Sequence, residues 1–146
     1  MTKVEIKEVS KKSNKKEVVK FYATGKRKTS IAKVWVSNGG SGNIEVNGKN
    51  YTDYFQRPVY KMIIDRPMKL LDVMSSFNVK CKVLGGGLSG QADAIKHGIS
   101  KAFKDMSEEY HRLMRDNGLL TRDSRKVERK KYGQPKARKK FQFSKR

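Results

Sequence analysis

Alternation of apolar and polar residues predicts strands in the first half of the chain. Residues 18–24 and 29–37 are rich in β-branched and aromatic side chains, which are typical of strands. A basic segment, residues 25–28, connects the two runs. In the second run the two faces differ in polarity, with Ala32, Val34 and Val36 on one face and Lys33 and Trp35 on the other.

Two further strands are predicted downstream. Residues 44–46 form a short apolar run, which Asn47 and Gly48 close as a favoured hairpin-turn pair. Residues 77–83 alternate apolar and polar side chains with a period of two, which indicates a strand with one buried face. Cys81 lies on that apolar face, so we interpret it as a small core residue and not as a nucleophile.

Helical patterns occupy the segments between and after these strands. A helix is predicted to begin at Pro58 and to be interrupted near Pro67. A second helix follows the glycines at 85–87, with Ser89 as its N-cap, and a third spans about residues 107–117 and ends at Gly118. The second helix carries an apolar stripe at helical spacing, formed by Ala92, Ile95, Ile99, Ala102, Phe103 and Met106.

The order of these elements predicts an α+β fold, in which helices cover one face of a mixed four-stranded sheet. The apolar faces of the strands must pack against those of the helices, because each element has a single apolar face. We therefore expect a core that includes Phe77, Val79, Val83, Ile95, Ile99 and Phe103.

Charge divides the chain into three regions. The formal net charge is +21, from 35 Lys+Arg and 14 Asp+Glu. Residues 121–146 hold twelve Lys and Arg against one Asp and one Glu, and they contain little to bury. We predict a flexible Lys-rich extension at 1–19, a globular body at 20–120 and an extended basic tail at 121–146.

A chain this basic repels itself when compact and needs a polyanionic partner. Its pI of about 10.2 is typical of nucleic-acid binding. Cations of the tail can neutralise phosphates, and its aromatic rings can stack on bases, although charge alone does not distinguish RNA from DNA. The predicted RNA-binding residues are Lys26, Arg27, Lys28, Arg122, Arg125, Lys126, Arg129, Lys130, Lys131, Tyr132, Lys136, Arg138, Lys139 and Lys140.

The glycine-rich segment between the last strand and its helix is a second candidate for phosphate contact, through helix N-terminal amides. The alternative is a tight turn with close backbone packing, and the two are compatible. The residues in question are Gly86, Gly87, Ser89, Gly90 and Gln91.

Enzymatic and metal chemistry are poorly supported. Gly25 and Lys26 are followed by Arg27, whereas a P-loop requires Ser or Thr there and an upstream glycine. One cysteine and two histidines make a closed zinc site improbable. We therefore predict no enzyme activity, no metal, no cofactor and no small-molecule substrate.

Membrane and secretory roles are also disfavoured. No apolar run approaches the roughly 18 residues of a spanning helix, and no basic segment has a strong apolar face. The single cysteine favours a reducing compartment. Residues 1–20 contain three Glu and no Arg, unlike an organellar transit peptide. We predict a cytoplasmic protein, from a bacterium in preference to an organelle.

Four segments resemble the family of the ninth protein of the small ribosomal subunit. They are residues 22–28 (YATGKRK), 85–98 (GGGLSGQADAIKHG), 118–133 (GLLTRDSRKVERKKYG) and 142–146 (QFSKR). The resemblance covers roughly residues 20–146, and the basic motifs are specific when found in this order. The N-terminal extension matches nothing in the family.

The resemblance implies more than the residues alone. It implies a left-handed β-α-β crossover, against the usual handedness, and a body that sits on ribosomal RNA in the head of the small subunit beside other head proteins. It also implies that the tail reaches the peptidyl-site tRNA, which Ser144, Lys145 and Arg146 would contact. The alternative from composition alone is a nucleoid or chaperone-like protein that binds any nucleic acid.

Overall fold

The computed structural model describes residues 19–144, which form five strands and four helices. The strands are β1 (Lys20–Arg27), β2 (Ser30–Asn38), β3 (Ile44–Val46), β4 (Lys49–Asn50) and β5 (Phe77–Leu84). The helices are α1 (Tyr51–Tyr54), α2 (Pro58–Leu70), α3 (Leu88–Lys104) and α4 (Glu108–Asp116). The α+β class is confirmed. None of the described helices is long and apolar enough to cross a bilayer.

The sheet has five strands, in the order β1-β2-β5-β3-β4, so the prediction of four strands was wrong. Asn47 and Gly48 both have positive φ, 50° and 81°, and this tight turn allows Lys49 to pair with Val46. The added strand β4 has only two exposed residues, so no alternation marks it in the sequence.

All neighbouring strands are antiparallel except β3 and β5, which are parallel. The chain between these two includes α1 and α2, as a crossover connection requires. The left-handed sense of this crossover stays a prediction.

Strand β1 continues through Arg27, so the predicted basic connection at 25–28 was too long. The hairpin turn contains only Lys28 and Thr29, because Arg27 pairs with Ser30. Gly25 lies within the strand, where a Cβ would overlap the carbonyl oxygen of Ala94 in α3. Glycine at this position therefore allows β1 to pack closely on α3.

Two helix predictions were wrong in detail. Helix α2 continues through Pro67, which is buried together with Ile64 and Met68. The packing of these side chains offsets the roughly 3 kcal/mol that a proline inside a helix costs. Helix α3 begins at Leu88 with Gly87 as its N-cap, so Ser89 lies inside the helix. The positive φ of the two preceding glycines has already reversed the chain at that point.

The predicted core is largely confirmed. Val79, Val83, Ile95, Ile99 and Phe103 are buried, as is Cys81. Phe77 is only partly buried and packs at the edge, with its ring centroid 5.3 Å from that of Phe103. Burial raises the pKa of the Cys81 thiol to about 12, so the thiol stays protonated.

Helix α3 packs on β1 and β2 and covers one face of the sheet. On the opposite face, Lys33, Lys80 and Lys82 are exposed and Trp35 is partly exposed. Helix α4 has Ser107 as its N-cap, as expected, but its C-cap is Asn117 and not the predicted Gly118, which follows with φ 66°. Residues 121–144 form no helix or strand, and most of them are exposed.

Candidate nucleic-acid interface

Arg27 joins the body to the first residues of the tail. Its NH2 group lies 3.1 Å from Asp123 Oδ2, and its Nε lies 3.6 Å from Asp93 Oδ2 on α3. Its NH1 group also donates to the carbonyl oxygen of Arg125 at 3.5 Å. The end of β1, helix α3 and the tail therefore meet at a single guanidinium.

This pairing changes the role of Arg27 within the predicted RNA-binding set. Its side chain is 18% exposed and faces two carboxylates, so its charge is largely balanced inside the protein. Arg27 positions the neighbouring cations, whereas those cations face solvent. The exposed cations around it are Lys26, Lys28, Arg122, Arg125 and Lys126, which we call the junction cluster.

His97 provides a second link between body and tail. The backbone N–H of Lys26 donates to His97 Nδ1 at 3.3 Å, and His97 Nε2–H donates to the carbonyl oxygen of Leu120 at 3.3 Å. Burial lowers the pKa of His97, the bond to Leu120 opposes this shift, and nearby Lys101, Arg122 and Lys96 lower the pKa further. With Nδ1 accepting from Lys26 and Nε2 facing the carbonyl of Leu120, the ring works as a two-ended hydrogen-bonding bridge.

The two acids of the tail pair with its own arginines and lysines. Arg125 NH2 lies 2.7 Å from Asp123 Oδ2, and hydrogen bonds from the Arg125 side chain and backbone hold the pKa of Asp123 well below its usual range. Glu128 accepts from Lys131 Nζ at 3.3 Å and from Arg138 Nε at 2.9 Å. These pairs shape the tail and leave a large excess of cations.

The remaining predicted residues of the tail are mostly exposed. Tyr132, Phe141 and Phe143 are exposed at 93%, 74% and 92%, although aromatic side chains normally seek burial. A surface that stacks on bases and binds phosphates requires exposed aromatic rings beside cations, and this part of the tail has both. The predicted cations of this part of the tail are Arg129, Lys130, Lys131, Lys136, Arg138, Lys139 and Lys140.

Comparison with known proteins identifies the family. A family model described as "Ribosomal protein S9/S16" matches residues 25–146. The chain belongs to this family. Two curated relatives, from Rickettsia conorii (strain ATCC VR-613 / Malish 7) and Rickettsia africae (strain ESF-5), are both named "Small ribosomal subunit protein uS9". Each is 54% identical over 127 residues, which cover 87% of this chain and 79% of the relative.

Membership in this family confirms two predictions. The resemblance found in the four sequence segments is correct, since the matched region includes the tail as well as nearly all of the body. The family consists of ribosomal proteins, which are structural components, so the prediction that the chain is not an enzyme is confirmed. Both named relatives are bacterial.

In this family member, the glycine turn before α3 is a close-packing device. Gly86 lies against Ser30, and Gly90 is buried beside the same side chain. Gln91 donates to the carbonyl oxygen of Gly85 at 3.2 Å and accepts from Tyr54 Oη at 2.8 Å. Gly86, Gly87 and Ser89 remain exposed. Phosphate contact at this turn stays a prediction.

Of the three predicted tRNA-contacting residues, only Ser144 is among the described residues. Ser144 is exposed, and Lys145 and Arg146 lie outside the described residues. The roles of Asp93, His97 and Asp123 were missed from sequence. Their partners are distant along the chain, and a lone His or Asp beside cations carries no signal of its own.

Proposed function

We propose that this chain binds ribosomal RNA of the small subunit, as a structural constituent of that subunit, through the junction cluster and the basic tail. The observation that carries the proposal is the double pairing of Arg27 with Asp93 and Asp123, which fixes the start of the tail against the body. Because these contacts fix the start of the tail on the body, less of the chain needs to be ordered when its cations neutralise phosphates.

The body at 20–120 would anchor the protein on RNA of the subunit head, beside neighbouring head proteins. The tail at 121–146 would fill crevices between RNA segments, because it has almost nothing to bury by itself. Exposed Tyr132 supports stacking on a base or ribose as part of this contact. The protein would work in the cytoplasm as part of the ribosome.

The test of this function is retention on small subunits as salt rises. The tagged full chain should co-sediment with small subunits and stay bound in a high-salt wash, because its contacts are specific as well as electrostatic. A general nucleic-acid binder would be released, since its affinity falls steeply with the logarithm of salt concentration. Complete release together with equal binding to unrelated RNA would reject the ribosomal function.

The end of the tail is proposed to contact peptidyl-site tRNA. An extended chain spans at most about 3.3–3.6 Å per residue, so the tail beyond residue 120 could reach on the order of 90 Å. That reach is long enough for the tail to leave the body's own RNA site and approach a ligand elsewhere on the particle. Arg146 would offer a guanidinium fork to a tRNA phosphate and Lys145 a point charge.

Deletion of residues 144–146 should leave subunit assembly intact and weaken tRNA binding at the peptidyl site. The salt slope of tRNA affinity should fall by about one unit for each phosphate that the shortened tail no longer neutralises. Filter binding of tRNA to normal and mutant subunits across a salt series measures both quantities. Unchanged affinity and slope, at full occupancy of the protein in the particle, would exclude a tRNA contact at the tail tip.

A further inference from the structure

The sheet face opposite α3 carries an ordered pattern of rings and lysines. Tyr22 and Trp35 lie directly opposite each other on β1 and β2, with ring centroids 5.4 Å apart and planes at 40°. Trp35 pairs in turn with Lys80 on β5. Tyr22 is 50% exposed, so the ring pair lies on the surface and faces outward from the core. We call this surface the open face.

Two hollows border Trp35 on the open face. One has a volume of about 500 Å³ and is lined partly by Lys20, Asn78 and Lys80. The other has a volume of about 480 Å³ and is lined partly by Lys82 and Leu84. Each hollow therefore combines an apolar ring with polar and cationic groups, which suits a planar polar ligand better than an aliphatic one.

The lysines of the open face outnumber its acids. Lys33 and Lys82 lie directly opposite each other on β2 and β5, and neither forms an ion pair with any residue in the range 19–144. Directly opposed like charges destabilise a sheet. Glu45, the acid of this face, already pairs with Lys80 at 3.4 Å. The face is therefore a positively charged surface that a polyanion would stabilise.

We propose that the open face binds an unpaired stretch of RNA, with a base stacked on the Tyr22–Trp35 pair and phosphates held by Lys33, Lys80 and Lys82. This inference rests on the proposed RNA-binding function and names a second contact surface, separate from the tail. Exposed aromatic rings on a sheet bind unpaired bases, whereas a base within a duplex cannot present its face to them.

Charge complementarity selects RNA over the other occupants of such a face. A neighbouring ribosomal protein would need an acidic patch to match Lys33 and Lys82, which lack acidic partners in the range 19–144. Residues 1–18 of the chain carry six Lys and three Glu, so their own excess of positive charge disfavours them. A phosphate backbone supplies the charge, and its bases supply the planar groups.

The single tryptophan of the chain makes the test direct, since all tryptophan fluorescence comes from Trp35. The full-length protein is titrated with a single-stranded RNA of about 12 nucleotides, which is within the length that such surfaces bind. A parallel titration uses an RNA duplex of the same length. Saturable quenching of Trp35 is expected with the single strand and little quenching with the duplex. Fluorescence anisotropy of labelled RNA reports total binding in the same samples.

Two variants separate ligand binding from stability. Tyr22→Ala should weaken single-strand affinity by about fivefold or more. Lys33→Thr should weaken it about two- to fivefold while raising the melting temperature, because it removes the opposed lysines and introduces a residue that favours strands. Lys49→Thr removes an exposed lysine of β4 outside the open face and should change affinity less than Lys33→Thr does.

The outcomes distinguish the two proposals. Normal RNA anisotropy without Trp35 quenching, and with unchanged affinity in both open-face variants, would overturn the open-face site and leave the proposed function intact. No anisotropy change at all would reject RNA binding itself.

Shielding of Trp35 from acrylamide in the free protein would indicate that residues 1–18 cover the face. Shielding only in assembled subunits, without a response to RNA, would indicate a neighbouring protein. Either pattern overturns the inference.

Discussion

Replacement of Gly25 by Ala is expected to destabilise the body by about 3 kcal/mol or more, a large part of the roughly 5–15 kcal/mol that stabilises a typical domain. The new Cβ would overlap the carbonyl oxygen of Ala94 and crowd the backbone of Gly98, and both belong to α3. Backbone atoms in a packed helix cannot rotate away, so the helix must shift from the sheet. Urea unfolding followed by circular dichroism measures the decrease in stability.

Gly87→Ala is the matched control for this substitution. A Cβ at Gly87 meets no atom within 4 Å, and the residue is the N-cap of α3. Its cost should stay near the roughly 1 kcal/mol that an unfavourable N-cap residue costs. If Gly25→Ala and Gly87→Ala unfold at the same urea concentration, close packing of β1 on α3 does not determine stability.

Replacement of three tail cations by alanine should weaken RNA binding on the order of 100-fold, at roughly 1 kcal/mol for each phosphate contact. The chosen residues are Arg129, Lys130 and Lys136, which form no ion pair with any residue from 19 to 144. Folding should not change, because these side chains contribute nothing to the core. The salt slope should fall by about two units, at roughly 0.7 for each contact with a single strand.

A triple variant of the body controls for net charge. Lys49, Lys61 and Lys104 lie on β4, α2 and α3, and their replacement by alanine removes the same three charges from scattered positions. This variant should retain much more affinity than the tail variant. Filter binding to a small-subunit RNA fragment across a salt series compares the two. Equal decreases would show that overall charge, and not the tail, governs binding.

Contacts at Arg27 and His97 fix the place where the tail leaves the body. Arg27, Asp93 and Asp123 hold the first tail residues against the body, and His97 adds a bond to Leu120. Cations beyond this anchor then extend from a fixed origin on the body. Under the proposed function, the number of cations would set the strength of RNA binding, and the anchor would set where on the RNA they act.

Much of the fold is determined by local patterns of the sequence. Residues 32–37 alternate buried and more exposed positions as the sequence pattern predicts, and the apolar stripe of α3 is buried from Ala92 to Phe103. These patterns can be recognised in the sequence because an element with one buried face repeats its apolar side chains at a fixed interval. The excess of cations at 121–146 likewise predicts a segment without a core of its own, and residues 121–144 form no helix or strand.

Contacts between distant residues were decided only by the tertiary structure. Nothing near Arg27 indicates that it pairs with Asp123. The Asn47-Gly48 turn predicts a hairpin, but its second strand, Lys49 and Asn50, is too short to show a pattern of its own. Gly25 resembles a loop residue in the sequence, and only its contact with α3 shows why glycine is required there. Pro67 ends a helix by local rules, yet its burial keeps α2 intact. Local periodicity encodes which face is buried, whereas the partner that buries it depends on how the whole chain packs.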